Sequence, residues 1–142
     1  DELLAFFTGS LNSAGATIYR KELHAIFHSF SNRNNSFSLT AKKEGETIGT
    51  VFCVFDGQNC YYLLGGVERR NGIAGVNNLL ISRSIELAKE KGCSTFDFEG
   101  SMLRGVEKFF RSFGPELVPY YTVNKAKLPL EIMLKFKKRE LF

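Results

Sequence analysis

The sequence predicts a mixed-sheet α/β domain, and three observations carry that prediction. Two glycine-containing turns, Glu44-Gly45-Glu46 and Asp56-Gly57, separate three consecutive strand-like runs, the pattern of an antiparallel meander. After residue 65 the rhythm changes to a helical period followed at once by another strand, and a strand–helix–strand crossover joins a parallel pair. A chain of 142 residues, 44% hydrophobic, is long enough to bury one such core and too short for two.

Residues 1–33 read as N-terminal helices. Leu3, Leu4, Phe7 and Leu11 recur at helical spacing up to the Ala14-Gly15 break, and Leu23, Ile26, Phe27 and Phe30 repeat the pattern over residues 20–31. Residues 34–123 form the core. Phe37, Leu39 and Ala41 alternate with polar residues, as a half-buried strand requires. Thr47 to Phe55 is apolar on both faces and reads as a central strand, and Cys60 to Leu64 as the third. Val76, Leu79, Leu80, Ile81, Ile85, Leu87 and Ala88 then make a helix with a broad apolar stripe, stopped by Gly92. Cys93 to Phe98 is a strand, Val106, Phe109, Phe110 and Phe113 mark a short helix stopped at Gly114-Pro115, and Leu117 to Val123 is strand again. Pro129 opens a basic C-terminal helix within residues 124–142, carrying Leu130, Met133, Leu134 and Phe136.

The net charge of +4 is modest, and Lys125, Lys127, Lys135, Lys137, Lys138 and Arg139 concentrate it at the C-terminal end. That end reads as a solvated helix covering the sheet rather than a lipid or nucleic-acid surface. Cys53, Cys60 and Cys93 sit in apolar runs without a Cys-x-x-Cys spacing, so neither a disulfide framework nor a zinc site is expected and a reducing, cytoplasmic setting is. His24 and His28 are one helical turn apart, but no acid or cysteine joins them; the reading is a polar helix face and no metal. No apolar run approaches the ~20 residues of a membrane span.

Two strand-to-helix turns carry the candidate chemistry. One is Arg69-Arg70-Asn71-Gly72-Ile73-Ala74-Gly75, ahead of the longest helix. Small residues there let backbone N–H groups approach phosphates, and the helix N-terminus adds partial positive charge. The other runs from Cys93 to Tyr121 and sets Glu99, Gly100 and Ser101 between a strand and a helix.

With these residues the chain resembles the GCN5-related N-acetyltransferase (GNAT) fold over nearly its whole length. Arg69-x-x-Gly72-x-Ala74 matches the family's pyrophosphate signature in type and place. Phe96-Asp97-Phe98-Glu99-Gly100-Ser101, Gly105-Val106-x-Lys108-Phe109-x-x-Ser112-Phe113-Gly114 and Val118-Pro119-Tyr120-Tyr121 are similar to the branch that includes the Fem-type aminoacyl transferases. The resemblance implies an antiparallel three-stranded start, then a crossover with a splayed parallel pair. It also implies an acyltransferase that passes an acyl group from acetyl-CoA or another acyl-CoA to an amine by direct attack in a ternary complex. The acceptor is a small molecule or a cell-wall precursor. The backbone of strand 60–66 would polarise the donor carbonyl. Two alternatives stand beside this reading. One is a Fem-type transferase using aminoacyl-tRNA; the other is a GNAT-like half that binds a partner without chemistry. Because the branch is often built of tandem halves, the chain reads as a C-terminal half with an N-terminal sister domain.

Among individual residues, strand alternation sets Thr95, Asp97 and Glu99 on one face, with Cα atoms two residues apart separated by roughly 6.5–7 Å. Two carboxylates that close in a partly buried site raise one pKa, which suits a base near neutral pH. Glu99 is therefore the candidate general base or ammonium ligand, against a role as helix cap or as partner of Arg104 or Arg111. Asp97 is either a substrate ligand or a structural partner, and Ser101 a substrate ligand or a cap. Lys108 is either a surface charge or, as the resemblance to the Fem-type pattern implies, a substrate-binding residue facing the donor site. The family's usual tyrosine acid falls on Phe110, which cannot donate a proton, and this leaves Tyr120 or Tyr121 as the candidate acid.

Overall fold

The computed structural model describes residues 4, 6, 7, 20–31, 34–68, 73–100 and 104–119. Leu4, Phe6 and Phe7 are helical, inside the first expected helix. Then follow α1 (Arg20–Phe30), β1 (Ser36–Lys43), β2 (Glu46–Phe55), β3 (Asn59–Val67), α2 (Val76–Glu90), β4 (Thr95–Asp97) and α3 (Arg104–Arg111). The chain divides into two compact units, Asp1–Phe110 and Arg111–Phe142. In the second, the described residues close the helical turn with the Gly114 N–H donating to the Arg111 carbonyl at 3.0 Å, and Gly114 takes φ 72°.

The sheet order is β1-β2-β3-β4. The first three strands are antiparallel and β4 joins β3 in parallel, as the meander and the crossover require. Both hairpin turns sit where the sequence sets them: Glu44 and Gly45 take φ 52° and 90°, and Gly57 takes φ 98°. At the second turn one carboxylate oxygen of Asp56 accepts from the backbone N–H groups of Gln58 (3.3 Å) and Asn59 (2.9 Å). Such side-chain capping is why Asp-Gly initiates turns so well.

The core lies on both faces of the sheet. On one face Leu4, Phe7 and Phe27 pack on Phe52, with the rings of Phe27 and Phe52 4.9 Å apart. On the other, Ile48 and Val51 pack on Val76 and Leu80 of α2, and Cys53 and Cys60 pack on Ala88 and Cys93. Gly49 explains how closely α2 approaches: a Cβ there would come within 2.9 Å of both Leu80 and Val76. All three cysteines are free thiols, and burial pushes that of Cys93 up, in keeping with an inert residue.

Three details differ from the sequence reading. β4 stops at Asp97 instead of Phe98, because Glu99 and Gly100 turn to φ 59° and 67°. Leu79 belongs to the apolar pattern of α2 yet stands 66% exposed. Leu117, Val118 and Pro119 carry no strand, and the rest of that expected strand and the basic C-terminal helix lie outside the described residues.

Candidate active site

β3 carries the decisive irregularity. Its register with β2 runs Tyr61 to Val54 and Tyr62 to Cys53, then jumps to Leu64 opposite Phe52. Leu63 is therefore an extra residue, a β-bulge, and bulges re-aim side chains and free backbone groups from the ladder. One consequence is visible at once: Leu63 and Leu64, though consecutive, both pack against the α1-side cluster. Tyr62 points to the opposite side, toward Cys53 and Cys60.

The bulge falls where β3 loses its neighbour. β4 pairs only with Asn59, Cys60 and Tyr61, so β3 runs on through Val67 beyond the last paired residue. Two parallel strands thus part at Tyr61, leaving a backbone edge facing the gap.

A cleft of about 520 Å³ opens on the α1 side of this parting. Phe30, Val54, Phe55 and Leu63 form its apolar walls, and Asn35, Asp56, Tyr61 and Glu99 its polar ones. Tyr61 donates its hydroxyl to Asp56 at 2.9 Å. Backbone donation from Asn59, with the Tyr61 hydroxyl next, holds the Asp56 carboxyl below the usual carboxylate range, and the same bond raises the Tyr61 phenol. The outcome is an ionised carboxylate beside a protonated phenol.

Glu99 stands at the other end. Asp97, opposite Tyr61 in the ladder, accepts the Glu99 backbone N–H at 2.7 Å, and that bond turns the chain out of β4. The expected shared face of Asp97 and Glu99 is thus a side-chain-capped turn, not continued alternation. The expected raised carboxyl is present: partial loss of water, then the charge of Asp97, lifts the Glu99 pKa.

At the start of α2, Ile73 and Ala74 are exposed and Gly75 takes φ 89°, a left-handed conformation suited to glycine. Among the described residues no side chain caps this N-terminus and no acid occupies its first turn. The Val76 N–H donates to the Ile73 carbonyl at 3.4 Å, and the partial positive charge of a helix start of this kind favours an anion.

Matched against family models, residues 5–111 fit the acetyltransferase (GNAT) domain. The chain belongs to the GNAT acetyltransferase family. No curated protein matches it significantly. Among solved structures it is similar to an aminoglycoside acetyltransferase from an uncultured soil metagenomic sample, at 16% identity over 88% of this chain and 89% of that one, with a TM-score of 0.64. An aminoglycoside N-acetyltransferase, AAC(6')-Iy, in complex with CoA matches at 14% identity over 88% of each chain and a TM-score of 0.62. A ribosomal-protein-alanine N-acetyltransferase from Brucella melitensis biovar Abortus matches at 14% identity, 87% of this chain and 93% of that chain, TM-score 0.59. At these identities the likeness is one of fold.

Within this GNAT domain the sequence-selected residues divide clearly. Glu99, Asp97, Ile73, Ala74 and Gly75 lie at the parting strands or the α2 start, and Lys108 is exposed on α3. Arg69, Arg70, Asn71, Gly72, Ser101, Tyr120 and Tyr121 lie outside the described residues. Phe110 is a core residue: it is 8% exposed, and its ring stands 5.6 Å from Tyr62 and 5.1 Å from Phe98. Asp56 and Tyr61 are the residues that sequence reading missed. Asp-Gly was legible as a turn, but that its carboxylate also lines a cleft depends on the fold. Among the described residues no group of three or more His, Cys, Asp or Glu side chains is placed to hold a metal, and no helix is long and apolar enough to cross a membrane.

Proposed function

We propose that this GNAT domain transfers an acyl group from acyl-CoA to a small-molecule amine by direct attack in a ternary complex. The observation that carries the proposal is the bulge at Leu63 set at the parting of β3 and β4. A backbone N–H released from the ladder there is preorganised to stabilise the oxyanion that develops on a thioester carbonyl. The uncapped start of α2, with the residues from Arg69 to Gly75, is the proposed seat of the donor's pyrophosphate. That one structural neighbour is a CoA complex supports the choice of donor.

In this reading the acceptor nitrogen attacks the thioester carbon, the C–N bond forms, and the C–S bond breaks to release CoA. Glu99 accepts the proton that leaves the amine, and its raised pKa brings it closer to the acceptor's working range. Asp97 is a positioning residue that fixes the turn holding Glu99.

Calorimetric titration with acetyl-CoA and longer acyl-CoAs is the test. Micromolar binding of at least one, followed by transfer to an amine, is expected; silence toward all of them removes the proposal. The Fem-type alternative is separated by the same experiment, since it requires that silence together with a gel shift on tRNA.

A further inference from the structure

On the α2 face the bulge at Leu63 brings a phenol to the backbone beyond the strand parting. Leu63 and Leu64 both turn toward α1, so the residues of β3 that flank them on the α2 face are Tyr62 and Gly65. These stand opposite Cys53 and Val51, whose side chains pack toward α2. A Cβ on Gly65 would coincide with the Tyr62 hydroxyl. The phenol therefore leans along β3 past the bulge, into space that only glycine leaves open. Its ring is held there by the clusters around Val76 and Leu80 and around Cys53 and Cys60, and by Phe110 edge-on at 5.6 Å.

The direction of the donor gives that hydroxyl a partner. With the pyrophosphate at the start of α2 and the thioester carbonyl at the bulge, an acyl-CoA runs back along β3 from Val67 toward Leu63. Its sulfur precedes the carbonyl carbon on this path and so falls on the Gly65 side of the bulge. Pairing with β4 ends at Tyr61, which leaves that stretch of β3 outside the ladder. Burial, and then the neighbouring Cys53, pushes the Tyr62 phenol up. An ordinary phenol, at about 10, is already a weaker acid than an ordinary thiol at about 8.5. Proton transfer from Tyr62 to sulfur is therefore uphill, and a hydrogen bond is what the phenol has to give. Such a bond strengthens as its acceptor gains charge, so it favours the transition state over the bound thioester. We infer that Tyr62 is a catalytic residue whose hydroxyl donates a hydrogen bond to the donor sulfur and keeps its own proton while the thiolate leaves. The C–S electron pair stays on sulfur, the amine proton passes to Glu99 and on to water, and water protonates the released thiolate. This rests on the proposed function for the donor and its direction.

Calorimetry with CoA and with desulfo-CoA, which lacks the sulfur, tests it without any acceptor. A donor that stabilises the thiolate makes wild-type protein prefer CoA increasingly as pH rises, by about tenfold once the bound thiol has ionised. Tyr62→Phe keeps the ring against Phe110 and should bind desulfo-CoA as wild type does, with an unchanged circular dichroism spectrum, while the growth of the CoA preference with pH disappears. Gly65→Ala, which displaces the hydroxyl, should lose that growth too and serves if Tyr62→Phe fails to fold. In turnover Tyr62→Phe should lose about tenfold in kcat with the KM for acetyl-CoA unchanged. A wild-type preference indifferent to pH, the same rise with pH in the variants, or an undiminished kcat overturns the inference and leaves the proposed function standing. Failure of CoA and desulfo-CoA alike to bind removes both.

Discussion

The two faces of the sheet solve different problems with the same strands. Toward α2, small residues and thiols allow close approach: Gly49 under Val76 and Leu80, and Cys53, Cys60 and Cys93 against Ala88. On that face the ring of Phe110 meets Tyr62 edge-on and Phe98 at a tilt. Burial pushes the Tyr62 phenol up, which leaves it neutral. Toward α1, packing is dense only around Phe52 and Phe27, and beyond them the surface recedes into a cleft edged by Asp56, Tyr61 and Glu99. The bulge at Leu63 lets one strand serve both. Without the extra residue, alternation would set every side chain on one side of the bulge on the other face.

If this contrast is right, substitutions on the two faces separate activity from stability, the Tyr62 hydroxyl excepted. The largest effect is expected from Glu99→Gln, which keeps shape and removes the base: kcat falls about a hundredfold or more while the melting temperature stays within error. The pH profile sharpens the point. Because the Glu99 carboxyl is raised, wild-type activity should fall as pH drops through an inflection above the usual carboxylate range, and Glu99→Gln should lose that limb.

On the packed face the order reverses. A Cβ on Gly65 would fall on the ring of Tyr62, so Gly65→Ala must push that ring away from Phe110. Urea denaturation should show about 2 kcal/mol of lost stability. Smaller is the effect of Asp56 on the hairpin. Its carboxyl is lower in the folded state than in the unfolded chain, so its contribution is present above the unfolded pKa and is lost as pH falls through the folded one. Thermal melts of Asp56→Ala should therefore converge on wild type in acid and diverge toward neutrality. Least is expected of Arg83→Ala: its bonds to Glu86 and Glu90, both 2.9 Å, are exposed, and melts should not resolve the change.

Much of the fold was legible because it rests on short-range rules. Asp-Gly and Glu-Gly-Glu turns, the alternation of β1 and the apolar run of β2 each express a period or a backbone conformation that neighbouring residues impose. Glu99 was found as a carboxylate at a strand end, and the upward shift of its pKa follows from the two causes the sequence suggested, partial burial and proximity to Asp97, of which loss of water contributes more.

What the sequence determined by itself was the meander, the crossover to β4, the turns between these strands and the family, since these depend on local periodicity and on motifs contiguous in the chain. Only the tertiary structure decided which face each residue of β3 meets, that Leu79 stays exposed and that Asp56 joins Tyr61 at a cleft. Those outcomes depend on a one-residue slip in strand register and on contacts between elements far apart in the chain, and no local pattern encodes where two strands part.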